Sequence, residues 1–271
     1  MEFLSPHKDV VQINSLNRSS GTSSQFSIDI SKQLRIPNNY DTVVLTSFSC
    51  PKSWYAFNST NNTFIIQEGI TQYTVSIPVG NYNDQSLLLT INTQIAASGV
   101  SFTYTTSEPD PSTAASTGLY TWTVSNNSSQ PYFIFSSTSC YSQLGFLVGT
   151  YQFSANTLTS PNVINLQLTN SLLLYSNIVG GPNSVLSAIV PNQSDYSQIL
   201  YEEQSPSLVS KPFNPIFITN ATFSLNDAIT GNLLDLNGLN ISFTLVFYKV
   251  NDYFTRILND KKLSLIERRF K

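Results

Sequence analysis

The chain has 271 residues, 11% of them charged, a net charge of −3 and one histidine, His7. That balance gives no overall basic footprint, so nucleic acid is not an expected partner. A lone histidine near the N-terminus argues against Ser-His-Asp and Cys-His catalysis and excludes a histidine-built metal site. Charged residues fall well below the average of about 25%, while Ser, Thr and Asn abound and aromatics reach 12%. Neutral polar surface suits sheet faces and surfaces covered by neighbours, because a hydroxyl is cheaper to desolvate than a charge.

Residues 1–9 read as an N-terminal arm, and 10–13 as a short strand before a polar loop over 14–24. Met1 to His7 has neither the basic start nor the apolar run of a secretion signal, so the expectation is a chain that is not secreted. On that expectation the N-x-S/T sequons at Asn58, Asn61, Asn126, Asn127, Asn192, Asn220 and Asn240 are accidents of composition. No stretch approaches the roughly 20 apolar residues of a membrane span. Phe26, Ile28 and Ile30 alternate with polar residues as a strand. Residues 42–50 follow as another, stopped by Pro51; an aromatic corner at 53–57, an Asn-rich turn and a strand at 61–66 come next.

The clearest local unit spans 73–99. Tyr73, Val75 and Ile77 alternate as a strand that Pro78 and Gly80 break, and the turn Gly80-Asn81-Tyr82-Asn83 leads into a helix. Asn83 is placed as its N-cap, Asp84 sits at the positive end of the dipole, and Gly99 is placed to cap its end. Leu87, Leu88, Ile91 and Ile95 form its apolar stripe, which has to bury against a β-sandwich. Further strands are expected at 101–105, 119–124 and 131–135, with a flexible loop over 108–118. One helical turn is expected at 142–146, strands at 164–168 and 172–175, and a strand at 198–201 inside a long crossing. The last two strands are read at 217–225 and 239–250, where Leu239, Ile241, Phe243, Leu245 and Phe247 share one side. Short strands joined by loops predict an all-β, antiparallel jelly-roll sandwich: eight core strands plus extra ones, with one amphipathic helix. One domain is expected over residues 1–250, followed by a basic and apolar tail over 251–271.

Candidates for chemistry are few. Cys50 and Cys140 have no zinc spacing and read as reduced core residues. Glu202-Glu203 and Glu108 with Asp110 are the carboxylate pairs open to glycosidase chemistry, against a plain role as solvated loop charges. Asp227 and Asp235 flank the last loop and are candidate calcium ligands or turn-formers. Trp54, Tyr55, Phe57, Trp122, Tyr132 and Phe133 suit a stacking platform for sugar or a packed core. No cofactor motif is present. The tail carries a net +3 and large anchors. Phe254, Ile257, Leu258 and Leu265, with Lys261, Lys262, Arg268 and Arg269 around them, form a candidate partner-docking segment.

Three stretches, taken in order, carry a resemblance. They are Ile13-Asn14-Ser15-Leu16-Asn17-Arg18 with the strand at 26–30; Cys50-Pro51-Lys52-Ser53-Trp54-Tyr55 with Asn61-Asn62-Thr63-Phe64 and Gly80-Asn81-Tyr82-Asn83; and Gln143-Leu144-Gly145-Phe146 with Leu234-Asp235-Leu236-Asn237-Gly238. Over residues 10–250 this order resembles the penton, or minor capsid, proteins of virophages and polinton-like viruses. The resemblance implies a single jelly roll, no catalytic residues and no cofactor. It also implies homopentamers at the five-fold vertices of an icosahedral virion, beside trimers of a double-jelly-roll major capsid protein. The alternative from the aromatic residues is a carbohydrate-binding or host-attachment module.

Overall fold

The computed structural model describes residues 8–36, 40–107, 117–167, 169–180, 184–191 and 193–249. In chain order its strands begin with β1 Lys8–Asn14, β2 Ser20–Gly21, β3 Gln25–Ile28, β4 Thr42–Pro51, β5 Thr63–Glu68 and β6 Thr71–Ser76. Then come β7 Thr103–Ser107, β8 Thr121–Ser125, β9 Tyr132–Phe135, β10 Gly149–Gln152, β11 Thr157–Thr159 and β12 Leu172–Ser176. The last are β13 Ser184–Ile189, β14 Gln198–Glu202, β15 Lys211–Pro212, β16 Ala221–Asp227 and β17 Ser242–Tyr248. The helices are α1 Asp84–Ala97 and the single turn α2 Pro206–Val209.

By contact the chain falls into two compact units, Met1–Trp54 with Thr169–Lys271, and Tyr55–Leu168, where the sequence reading has one domain. In the first unit β1-β17-β4-β14 form one antiparallel sheet, with β15 also on β4, and β13-β12-β16-β3-β2 form the other. Lettered B to I in chain order, β1, β3, β4, β12, β13, β14, β16 and β17 give the sheets B-I-D-G and F-E-H-C. That order is a jelly roll of two interlocked Greek keys. The alternation read in the last strand sets the core: Ile241, Phe243, Leu245 and Phe247 are buried, while Ser242, Thr244, Val246 and Tyr248 face outward. Phe243 stacks on Phe48 within its sheet and meets Phe223 of the facing sheet edge-on at 5.0 Å, so one side chain joins both layers. A bulge opposite Thr244 and Leu245 inserts Thr46 into β4 and shifts its alternation, which lets both Leu45 and Phe48 face the core.

The register fixes the two ends of this unit. At one end Asn14 pairs with Ser242, Ser242 with Ser49, and Pro51 with Gln198. The junctions with the inserted residues lie here. Ser53 Oγ donates to Leu236 O at 2.8 Å, Asn237 Nδ2 donates to Ser53 O, and Ala228 N donates to Ser171 O at 2.9 Å. At the other end Lys8 pairs with Tyr248, Tyr248 with Thr42, and Thr42 with Pro212.

The second unit has its own core. A sheet β10-β9-β5-β6 and a sheet β11-β8-β7 meet through Trp122 and Phe133, whose rings lie 5.5 Å apart edge to face. α1 forms as its sequence predicts. Asn83 Oδ1 accepts from Ser86 N at 2.8 Å and Ser86 Oγ accepts from Asn83 N at 3.0 Å, a reciprocal cap. Leu87, Ile91 and Ile95 are buried and Leu88 half-buried, and Gly99 ends the helix at φ +85°. Glu68 is buried, yet its carboxylate accepts from Ser101 N, Phe102 N and the Tyr104 hydroxyl at 2.9–3.0 Å, fastening β5 to the start of β7. Gly145 has φ +78°, and a Cβ there would lie 2.1 Å from Asn162 O, so no side chain fits.

Several boundaries differ from the sequence expectation. The strand expected at 164–168 is absent over its described residues. Ile164 and Leu166 pack against the core as single anchors, and Ile164 N bonds to Gly118 O, a loop carbonyl. The expected helical turn at 142–146 is a string of tight turns closed by Gly145. Residues 217–220 belong to a 3-10 turn, Pro215–Asn220, because Pro215 and Asn214 initiate it; the strand starts at Ala221. β17 starts at Ser242, and Leu239 lies exposed in the preceding loop.

Candidate assembly surfaces

The residues singled out for chemistry have structural work or lie outside the described residues. Glu202 is exposed on β14. Glu203 accepts hydrogen bonds from the Tyr201 hydroxyl and from Ser205 N, and these donors, Tyr201 first, hold its carboxyl below the usual range. A carboxylate kept ionised in this way makes a poor general acid. Glu108 and Asp110 lie outside the described residues. Asp227 Oδ1 accepts from Ile229 N, Thr230 N and Thr230 Oγ1, and Asp235 Oδ1 from Asn237 N. Each closes its own turn, and among the described residues no three Asp, Glu, His or Cys side chains converge as metal ligands do.

The stacking platform does not form. Phe57, Trp122 and Phe133 are buried completely, and Trp122 packs against Tyr120, Phe133 and Phe146. Trp54, Tyr55 and Tyr132 are half-buried, with Trp54 packed on the jelly-roll core. β-rich sequences place aromatics where area is buried, and these positions obey that rule rather than a ligand's demand. Cys50 and Cys140 are free and buried, and desolvation pushes both thiols up to about 12, which leaves them unreactive near neutrality.

What remains is surface. Between Lys8 on β1 and Glu202 on β14, the outer face of the β1-β17-β4-β14 sheet is a field of neutral groups: Gln12, Asn14, Ser242, Thr244, Ser47 and Ser49, with Ser47 Oγ donating to Thr244 Oγ1 at 2.9 Å. Across it Val10 and Val246 lie in one row that ends on the buried Val44. This is the polar half of the alternation whose apolar half makes the core, so the sequence holds the signal once the strands are paired. The docking residues Phe254, Ile257, Leu258, Lys261, Lys262, Leu265, Arg268 and Arg269 lie outside the described residues. The structure locates their point of departure, the corner where Tyr248 pairs with Lys8. No helix of the described residues is long and apolar enough to cross a membrane.

No protein-family profile matches the chain, and no curated protein matches it in sequence. In structure it is similar to the selenomethionine-labelled mavirus penton protein, with a TM-score of 0.51 over 90% of this chain and 100% of that one, at 11% identity. The fold is a penton-type jelly roll. A match over 90% of the chain takes in residues of both units, since the inserted Tyr55–Leu168 is too large to be left out.

Proposed function

We propose that the protein is a structural component of an icosahedral capsid, a penton that assembles as homopentamers at the five-fold vertices and touches trimers of a double-jelly-roll major capsid protein. The observation that carries this reading is the structural likeness to a penton protein along that protein's full length. Three features support it. Carboxylates and thiols with catalytic potential are occupied or buried, as a protein that works by shape would have them. The outer face of the first sheet is hydroxyl- and amide-rich, a surface that loses water at low cost. Lys8 and Tyr248 pair at the end of the jelly roll opposite Ser53, and the segments beyond them are read here as the ones that reach shell neighbours. The tail residues from Phe254 to Arg269 supply apolar anchors and basic charges for that reach.

Quantitative mass spectrometry and immunogold labelling of purified particles test the reading. The expected result is the protein in stoichiometric amount, with label restricted to vertices. Particles lacking it, or label spread evenly over the facets, would overturn the vertex assignment.

A further inference from the structure

The jelly roll has two lateral sides, and they carry opposite charge. β1 and β2 are the outermost strands on one side, β13 and β14 on the other. Residues 8–36, on the first side, contain Lys8, Arg18, Lys32 and Arg35 against Asp9 and Asp29, a net of +2. Residues 184–212, on the second, contain Asp195, Glu202 and Glu203 against Lys211, a net of −2. Part of this is cancelled within the unit. Arg35 Nε lies 3.3 Å from the buried Asp9, and Lys52 Nζ lies 3.0 Å from Asp195. After those pairs the first side keeps exposed Lys8, Arg18 and Lys32, with Asp29 near Lys32, and the second keeps Glu202 and Glu203 against Lys211.

The acidic side is also the open one. Among the described residues β14 ladders with β4 alone and β13 with β12 alone, so each leaves one edge of backbone groups unpaired. Along them Val190, Tyr196 and Leu200 are 67%, 68% and 68% exposed. The basic side has apolar counterparts in Val10 and Leu16, 55% and 68% exposed, and its β1 edge is covered near Asp9 by the 31–35 segment, where Arg35 N donates to Asp9 Oδ2.

We infer that these two sides are the complementary halves of a contact between copies of this chain: the β13–β14 side of one copy seats against the β1–β2 side of the next. The inference rests on the penton reading and names its self-contact. Joining either side to itself would set like charges together, whereas joining the two different sides pairs Glu202 and Glu203 with Lys8 and Lys32. A contact between unlike patches repeats head to tail and forms a ring when its rotation closes, which is the symmetry a five-fold vertex requires.

Sedimentation velocity of the full chain, at low and high salt and up to its solubility limit, tests this. The expected result is a ring-sized species at low salt that weakens as salt screens the contact. Glu202→Lys with Glu203→Lys, and separately Lys8→Glu with Lys32→Glu, should each weaken association at least about tenfold. The chain carrying all four changes should recover to within about threefold, because its sides are complementary again with the polarity reversed. Glu202→Lys alone leaves the Tyr201–Glu203 bond intact and should weaken association in the same direction. Variants that associate like the parent, a four-fold variant that fails to recover, a two-fold dimer, or a monomer at every salt and concentration would overturn the inference. Vertex labelling of particles separates the two readings. Protein at vertices with unaffected variants sinks this contact alone, and charge-dependent rings without vertex label sink the penton reading.

Discussion

Lys8 and Tyr248 are register partners, the first and last residues of the β1–β17 ladder. They sit at the end of the sheet opposite Asn14, Ser242 and Pro51. Asp41 N donates to Tyr248 O at 3.3 Å and Thr42 pairs with Tyr248, so the corner itself is tied down.

Removing residues 251–271 tests the use of that corner. Both described cores are built from residues between Val11 and Phe247, and the truncated chain should stay soluble and melt within about 2 °C of the full chain. Incorporation into particles should fall sharply, read by mass spectrometry of purified particles. Normal incorporation would show that the tail anchors do not dock.

Trp122 is the keystone of the inserted unit. It touches Tyr120, Phe133 and Phe146 and is fully buried. Trp122→Ala should destabilise that unit by about 3–5 kcal/mol, while the jelly roll keeps its stability. Hydrogen exchange resolved by segment checks this: protection should collapse over 55–167 and persist in β4, β16 and β17. Equal loss in both would contradict the separation into two cores.

Glu68 makes a sharper local test. Glu68→Ala strips the acceptor from Ser101 N, Phe102 N and the Tyr104 hydroxyl at once, and should cost about 3 kcal/mol or more in denaturant unfolding. Glu68→Gln keeps one acceptor oxygen and should cost less, about 1–2 kcal/mol. Burial, reinforced by the neighbouring Glu68 charge, holds the Tyr104 phenol well above its usual range.

The buried thiols predict an alkaline limb. Cys50 and Cys140 ionise at about 12 in the fold against 9.0 unperturbed, because burial disfavours the thiolate. A folded-state value raised above the unfolded one means stability is fully present below pH 9 and lost as pH rises toward about 12. The slope should reach about 1.4 kcal/mol per pH unit for each thiol, and Cys140→Ala should remove one share of it. Alkylation of the native protein at pH 8 should be negligible; rapid labelling of both thiols would contradict the burial.

Much of the frame was legible in the sequence because its signal is local. Asn83, Asp84, the Leu87–Ile95 stripe and Gly99 specify α1 by cap, dipole and period, and the alternation from Ile241 to Phe247 specifies the central strand. β13 was missed because Val185, Leu186, Ala188 and Ile189 run together without alternation, and its pairing with β12 carries a bulge. β10 and β11 are short, and their turn depends on Ala155 and Asn156 at φ +47° and +65°, values that composition does not announce. The strand expected around Ile164 failed for the opposite reason, since a period of two can serve anchoring without a ladder. The aromatic platform failed because residue type alone cannot tell a buried ring from an offered one; Trp122 needed its neighbours. The lateral charge polarity is invisible along the chain, because pairing across the sheets is what gathers Lys8 with Arg18 and Glu202 with Val190.

The most direct test of the vertex assignment is a symmetry-resolved electron cryomicroscopy map of the particle that carries this protein. The prediction is five copies of the jelly roll around each five-fold axis, the β13–β14 side of each against the β1–β2 side of the next. Vertex density that this chain does not fit, or a fit only within the facets, would contradict it.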